Sequence, residues 1–337
     1  PFERWAEHFV KAGVNVVPGG IVIDESIFDD QRIHPTWEAA DLGKWYAAPV
    51  SALNFNDNCV AVAVSPGSSI GLPVALSIHP ESALIKIVNS CKTGDSTPIL
   101  NHAFGSFEYK ISGKCNRNWP FSPAAFPDPG LLFADSFRTF LAKKGVQVQG
   151  DFRRDRVRSA DGTVPGSLTV IDSHRTTIAD ALARAGKNSQ NLFAECLLKR
   201  TGYAFARLRC HPDPQGSREN DEQAVVELVN SAGIDSRRLR VADGSGLSRE
   251  NACTAQQLAQ LLAWGHRRPY ARLLYDSLSE AGVDGSLQRR LKSLDGRVHA
   301  KTGTMRGVRA LAGYVDDDIG PRYAFAIMFN NYRGSST

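Results

Sequence analysis

No apolar run in the 337 residues approaches the ~18 needed to cross a bilayer, so a spanning helix is excluded. The given residues contain no signal-peptide pattern. The chain opens Pro1-Phe2-Glu3-Arg4 without a Met, which predicts that this is not a native translation start. None of the six cysteines forms Cys-x-x-Cys, and no histidine stands at zinc-finger spacing from them. The eight histidines contain no His-x-x-x-His pair. A metal centre is therefore not expected, and nothing in the pattern asks for a cofactor. Repeats and low-complexity linkers are absent as well. The densest basic stretch, Arg153-Arg154-Asp155-Arg156-Val157-Arg158, is broken by an acid and lacks interleaved aromatics. It reads as a solvated strand or loop, and no nucleic-acid partner is expected.

What is present is ordinary in bulk. Hydrophobic residues make up 42% and charged residues 22%, as in a globular protein. The length suits two or three compact units. The net charge of +5 is spread along the chain and is compatible with an acidic partner such as a cell-wall polymer.

Periodicity divides the chain. Trp5, Phe9, Val10 and Val14 predict a short amphipathic helix, and Gly20 to Asp24 a buried strand. A long irregular segment follows. Strands are then predicted at Val60–Val64, Val74–Ile78, Ala83–Val88 and Phe107–Ile111, a spacing that suits a small β unit. Cys91 and Cys115 flank what reads as a hairpin with the Phe107 arm. A disulfide is expected there, which would fit an oxidising compartment; two buried thiols are the alternative. Prolines at 120, 123, 127 and 129 close the unit. A helix from Leu131 to Leu141 stops at Lys143-Lys144-Gly145, and strands follow at Val146–Val148 and Leu168–Ile171. From Thr177 the chain turns helical, with apolar faces at Ile178–Ala185, Leu192–Leu198, Val225–Val229 and Leu258–Trp264. Three strands end it, at Arg297–Lys301, Ala310–Val315 and Arg322–Met328. Helices followed by antiparallel strands make a layered unit.

Chemistry concentrates at Lys301-Thr302-Gly303-Thr304. A strand edge can take an extended peptide as an added strand. An ammonium at Lys301 attracts a terminal carboxylate, and the Thr302 hydroxyl can donate to it. Gly303 permits close approach of a substrate backbone. The N–H of Thr304 can face a developing oxyanion. The tripeptide alone is weak, appearing by chance in about one chain in ten of this length. Lys92-Thr93-Gly94 is a second copy, read as a decoy that runs into a turn-like loop at Asp95-Ser96-Thr97-Pro98. Upstream, Ser189-Gln190-Asn191 lies between two predicted helices. A Ser hydroxyl there can pass a proton to a leaving amine, and an Asn amide can bind a substrate carbonyl. Its bland reading is a helix N-cap. Between the two stands Asp243-Gly244-Ser245-Gly246-Leu247-Ser248-Arg249, a tight turn. Gly67-Ser68-Ser69-Ile70-Gly71 matches a nucleophile elbow by letter, but the alternating Val74–Ile78 run after it predicts a hairpin loop.

Five ordered stretches resemble the low-molecular-mass class C penicillin-binding proteins, the D-alanyl-D-alanine carboxypeptidase/endopeptidase family. They are Gly20 to Phe28, Ser189 to Glu195, Asp243 to Arg249, Asp284-Gly285-Ser286-Leu287, and Ala300 to Gly303. The resemblance implies an α+β, multidomain chain with part of a penicilloyl-serine transferase (β-lactamase/transpeptidase-like) fold. It implies an inserted α/β domain at 1–58 and 126–167, a small all-β domain at 59–125 nested in it, and catalytic-domain residues at 168–337. Ser189, Asn191 and Lys301 would be catalytic; Thr302, Gly303 and Thr304 would bind substrate. Peptidoglycan stem peptides and β-lactams would be the partners, outside the cytoplasm and without a cofactor. The family's nucleophile motif, Ser-x-x-Lys, occurs nowhere in the 337 residues. It is expected upstream of Pro1, and the family's final helix after the tail 331–337, so this segment alone is expected to be inactive. The competing readings are a β-lactamase or esterase of the same fold and a non-catalytic peptidoglycan-binding pseudoenzyme.

Overall fold

Phe2 is almost wholly buried, its ring packed against Trp5, Phe55, Phe133, Phe137 and Phe140. This aromatic cluster fixes the first helix on a later one. The structure is a computed structural model that describes residues 1–159, 161–294 and 296–333. It divides into two compact units, Pro1–His174 and Arg175–Thr337. The tail's residues 334–337 lie outside the described part.

Unit one runs α1 (Phe2–Lys11), β1 (Val16–Val17), β2 (Ile21–Ile23), β3 (Cys59–Ser65), β4 (Ala75–His79), β5 (Lys86–Asn89), β6 (Lys92–Thr93) and β7 (Ile99–His102). It continues with β8 (Glu108–Ser112), β9 (Lys114–Cys115), β10 (Trp119–Pro120), β11 (Ala124–Ala125), α2 (Pro129–Lys143), β12 (Gln147–Val148) and β13 (Phe152–Arg154). The N-terminal strands pair in parallel with the last ones, β1 with β12 and β2 with β13. Beside them Ala6, Leu141 and Val146 form a small core. Helix α2 starts where Asp128 accepts from the Leu131 N–H at 3.1 Å and Pro129 opens the first turn. It stops at Gly145, whose φ of +82° suits glycine.

The strands of residues 59–125 share a core with Phe126 and with Leu132 of α2. Alternation on β3 turns Val60, Val62 and Val64 inward against Tyr109, Ile111 and Phe126. The hairpin loop after β3 contains Gly67 to Gly71, as expected, since β3 and β4 are antiparallel. Lys92-Thr93 forms a short strand that runs into bends at 94–96, and the Thr93 hydroxyl accepts from Gly67 N–H at 2.7 Å.

Two expectations are corrected here. Cys91 and Cys115 are buried free thiols. The hairpin partner of β8 is β7, whereas β5, just before Cys91, runs parallel to β8. Cys115 consequently stands opposite Thr93, not Cys91, and its thiol donates to the Arg117 carbonyl at 2.7 Å. Burial pushes the Cys91 thiol up, and the neighbouring Cys115 adds to it. Leu168–Ile171 is not a strand. No neighbouring strand offers it a ladder among the described residues, and Leu168, Val170 and Ile171 are exposed. The basic run is also partly structural: Arg154 on β13 binds Glu25 at 2.9 Å and the Asp128 carboxylate.

Unit two runs α3 (Ile178–Gly186), α4 (Asn191–Leu208), α5 (Arg218–Ser231), α6 (Ala255–Gly265), α7 (Ala271–Asp276), β14 (Ser279–Glu280), β15 (Val298–Met305), β16 (Val308–Asp317) and β17 (Gly320–Asn330). The last four form one sheet in chain order, with antiparallel neighbours. Thr177, Ser217 and Thr254 cap α3, α5 and α6. Helix α6 packs Leu262 on Ala312 and Tyr314 of one sheet face, and the Tyr314 hydroxyl donates to the Leu262 carbonyl at 2.8 Å. On the other face Leu287, Val298, Ala300 and Ala281 make a second core.

Candidate active site

The turn after α3 is shaped by close approach. Gly186 lies so near Ser277 that an added Cβ would stand 2.0 Å from its carbonyl oxygen. The chain then reverses, with Lys187 N–H donating to Ala183 and Gln190 N–H to Arg184. Ser189 takes a left-handed φ of +53°, uncommon for a residue with a Cβ. Gln190, not Ser189, is the N-cap of α4, and Asn191 opens the helix. The Ser189 hydroxyl is thereby left for the sheet.

That hydroxyl meets Lys301. The Nζ donates to Ser189 Oγ at 2.7 Å and to the Thr302 carbonyl at 2.6 Å. Burial holds the Lys301 ammonium below the usual lysine range, because desolvation disfavours the charged form. The strand that carries it is open on one side. Strand β14 reaches only His299 and Ala300. From Lys301 to Met305, β15 pairs with β16 and has no strand on its other edge among the described residues.

One segment touches both halves. The Asp284 carboxylate pairs with Lys187, two residues before Ser189, and accepts from Glu280 N–H at 2.8 Å. Gly285 (φ +55°) is wedged: a Cβ would stand 2.3 Å from Ser279 Oγ and 2.8 Å from the Lys187 carbonyl oxygen. Ser286 Oγ lies 2.9 Å from Thr302 Oγ1.

The Asp243 turn is bound to α4. Buried Glu195 accepts from Gly244 N–H at 3.2 Å and Ser245 N–H at 2.8 Å. Asp243 accepts from Gly246 and Ser248 N–H and from the Asn251 amide. Gly244 has no room for a side chain, since a Cβ would lie 2.5 Å from the Ala194 carbonyl oxygen. Arg249 donates to the Arg306 carbonyl at 3.2 Å, tying the turn to the β15–β16 connection.

Of the residues read from the sequence, Ser189 and Lys301 are in contact, Thr302 is adjacent, and Asn191 starts the helix behind Ser189. Thr304 is exposed on β15, opposite Arg309 in the ladder. A Cβ on Gly303 would stand 3.2 Å from Ala310 Cβ, closer than ordinary van der Waals contact. Sequence reasoning missed Lys187 and Ser279. The signal for Ser286 was present in Asp284–Leu287, a matched run without an assigned task; Ser279 had none. A hollow in unit one, lined by Ile78, Pro80, Ala83, Ile85 and Thr139, contains none of these groups.

A lysine on an open-edged strand, a serine on a helix-entry turn and this unit's layering define a protein of the penicilloyl-serine transferase fold. The likeness to solved structures agrees. Penicillin-binding protein 4 (dacB) from Haemophilus influenzae matches with a TM-score of 0.79 and 22% identity over 99% of this chain and 73% of that one. The same protein complexed with a β-lactam matches at 0.71 and 22%, over 99% and 72%. The chain belongs to the D-Ala-D-Ala carboxypeptidase 3 (S13) family, whose model matches residues 1–337. It is 29% identical over 355 aligned residues to a D-alanyl-D-alanine carboxypeptidase of Actinomadura sp. (strain R39), covering 98% of this chain. It spans 63% of that relative's length.

Proposed function

We propose that the protein is a serine-type D-alanyl-D-alanine carboxypeptidase and endopeptidase that cleaves peptidoglycan stem peptides through an acyl-enzyme, is acylated by β-lactams, and works outside the cytoplasm. The observation that carries this reading is the 2.7 Å contact between Lys301 Nζ and Ser189 Oγ, from motifs 112 residues apart, in a chain of the S13 family. The Haemophilus protein complexed with a β-lactam supports the inhibitor class. No helix of the described residues is long and apolar enough to cross a membrane.

No Ser-x-x-Lys occurs in these 337 residues. The residues present account for binding and proton delivery. The peptide lies along the open edge of β15 as an added strand. Its terminal carboxylate is drawn by the Lys301 ammonium and bound by the Thr302 hydroxyl. Asn191 holds the carbonyl of the preceding residue. Ser189 accepts from Lys301, so its own proton is directed away from the lysine and can pass to the departing D-alanine amine. The Thr304 N–H serves the oxyanion. Unit one corresponds to the inserted domains.

The test is covalent labelling of the full-length protein by a fluorescent penicillin, alongside D-alanine release from a stem pentapeptide and nitrocefin turnover. Labelling and release with slow nitrocefin turnover are expected. A full-length protein with an intact Ser-x-x-Lys that never labels removes the reading, and fast nitrocefin turnover replaces it with a β-lactamase.

A further inference from the structure

The turn that carries Ser189 is held at two points. One is the 2.7 Å contact of Ser189 Oγ with Lys301 Nζ. The other lies two residues earlier, where the ammonium of Lys187, the residue on which α3 ends, pairs with the Asp284 carboxylate. The two points are themselves joined. Asp284 also accepts from Glu280 N–H at 2.8 Å. Glu280 belongs to β14 and stands opposite His299 of β15, two residues before Lys301. A closed ring of contacts therefore runs from Lys301 through β15, β14, Asp284 and Lys187 to Ser189. Ser189 needs such a frame. Its φ of +53° is a left-handed conformation that a residue with a Cβ keeps only where its surroundings over-determine it. The fold of the turn itself does not rest on the ion pair. Gly186 sits against the Ser277 carbonyl, and Lys187 N–H donates to Ala183. The Lys187 and Asp284 side chains are 29% and 35% exposed, and a pair so open to water adds little to overall stability. What it fixes is the place of Ser189.

We propose that the Lys187–Asp284 pair is a latch that sets the Ser189 hydroxyl in place for proton delivery, so that Lys187 and Asp284 are positioning residues for the cleavage of amide donors. The inference rests on the acyl-transfer reading above. In that step the acyl carbon bonds to the nucleophile, whose proton goes to its base. The C–N bond breaks, and the leaving nitrogen keeps the bonding pair and takes the Ser189 proton, which the Lys301 ammonium replaces. Lys301 is held on β15 by the sheet. Opening the latch therefore moves Ser189 relative to Lys301 and to the leaving nitrogen, and leaves the strand that binds the donor unchanged.

The experiment uses the full-length protein and two matched donors, a peptide ending in D-alanyl-D-alanine and the same peptide with its scissile amide replaced by a thioester. A thiolate leaves without needing a proton, so the thioester does not call on Ser189 as an acid. Lys187→Met is expected to slow acylation by the amide about 10-fold with little change in KM, since misplacing a catalytic group by about 1 Å costs up to about 100-fold. The thioester should stay within about twofold of wild type. Asp284→Asn keeps an acceptor for Glu280 N–H but loses the charge; it should show the same loss, and it serves if Lys187→Met does not fold. Lys187→Arg should restore most of the rate, and the double variant should be no worse than either single one. In a Ser189→Ala background, Lys187→Met should cost nothing further. Equal losses on both donors, none on either, or a further loss in the Ser189→Ala background overturn the latch. A wild-type protein that takes neither donor nor penicillin overturns the acyl-transfer reading itself, and the two failures are thus distinguishable.

Discussion

Glu195 Oε1 accepts from the backbone N–H of Ser245 at 2.8 Å, so helix α4 carries the Asp243–Arg249 turn on a buried carboxylate. The same helix begins at Asn191, two residues after Ser189. The site's helix and the glycine-rich turn are therefore one rigid piece.

This arrangement predicts a pH signature. Burial first, and the charge of Asp243 second, push the Glu195 pKa from 4.5 up to about 7. The folded state then holds a proton that the unfolded chain has released between about pH 4.5 and 7. Stability is greatest below that window and is lost as pH rises through it. The contribution is on the order of 3 kcal/mol at most. Urea unfolding from pH 4.5 to 7.5 should show this decline, and Glu195→Gln should flatten it. An unchanged slope in the variant would contradict the assignment.

Gly244→Ala should destabilise unit two. The new methyl would meet the Ala194 carbonyl oxygen at 2.5 Å, and backbone cannot yield as a side chain does. Overpacking of this kind costs about 1–3 kcal/mol. Calorimetry should show a lower melting temperature, while Gly166→Ala, with nothing within 4 Å, should leave it unmoved.

Lys301→Ala and Ser189→Ala should each slow penicillin acylation of the full-length protein by about 10²- to 10⁴-fold, the span of lost proton-transfer catalysis. Because the two groups act as one pair at 2.7 Å, the double variant should be little worse than either single one. Stopped-flow labelling measures this, and additive losses would separate the pair.

The cysteines give a direct check on the fold of unit one. Native protein should react with a thiol reagent first at exposed Cys210, while Cys59, Cys91 and Cys115 should react only after unfolding. Mass spectrometry of protein alkylated after unfolding without reductant should find Cys91 and Cys115 both modified. A mass two units short across that pair would restore the disulfide.

Legibility followed the range of the interaction. Helices α2 and α4 to α6 were visible because apolar spacing, caps and stop signals are local. The β15–β17 meander was visible because each strand alternates or is continuously apolar. Strands β2 and β12 were read, but their parallel pairings, β2 with β13 and β1 with β12, were not, since β1 and β13 are too short to carry a period and the mates lie some 130 positions apart. Leu168–Ile171 shows the converse: strand-like composition without a neighbour to pair with makes no strand. At the site, Ser189 and Lys301 were readable from short motifs. Ser279 was not, because a lone serine gains meaning only from the oxygen beside it. Gly244 was readable as a turn residue but not as a contact with Ala194.

The separation of 112 positions between the serine turn and the lysine strand has a bearing on biosynthesis. Helix α4 leaves the ribosome long before the hairpin that completes its partner, so the cleft cannot exist on a nascent chain until the meander has assembled. Closing so long a loop and pairing distant strands are late, slow steps. Refolding followed by penicillin uptake should accordingly lag behind recovery of helical circular dichroism, and a half-made molecule should be blind to the antibiotic.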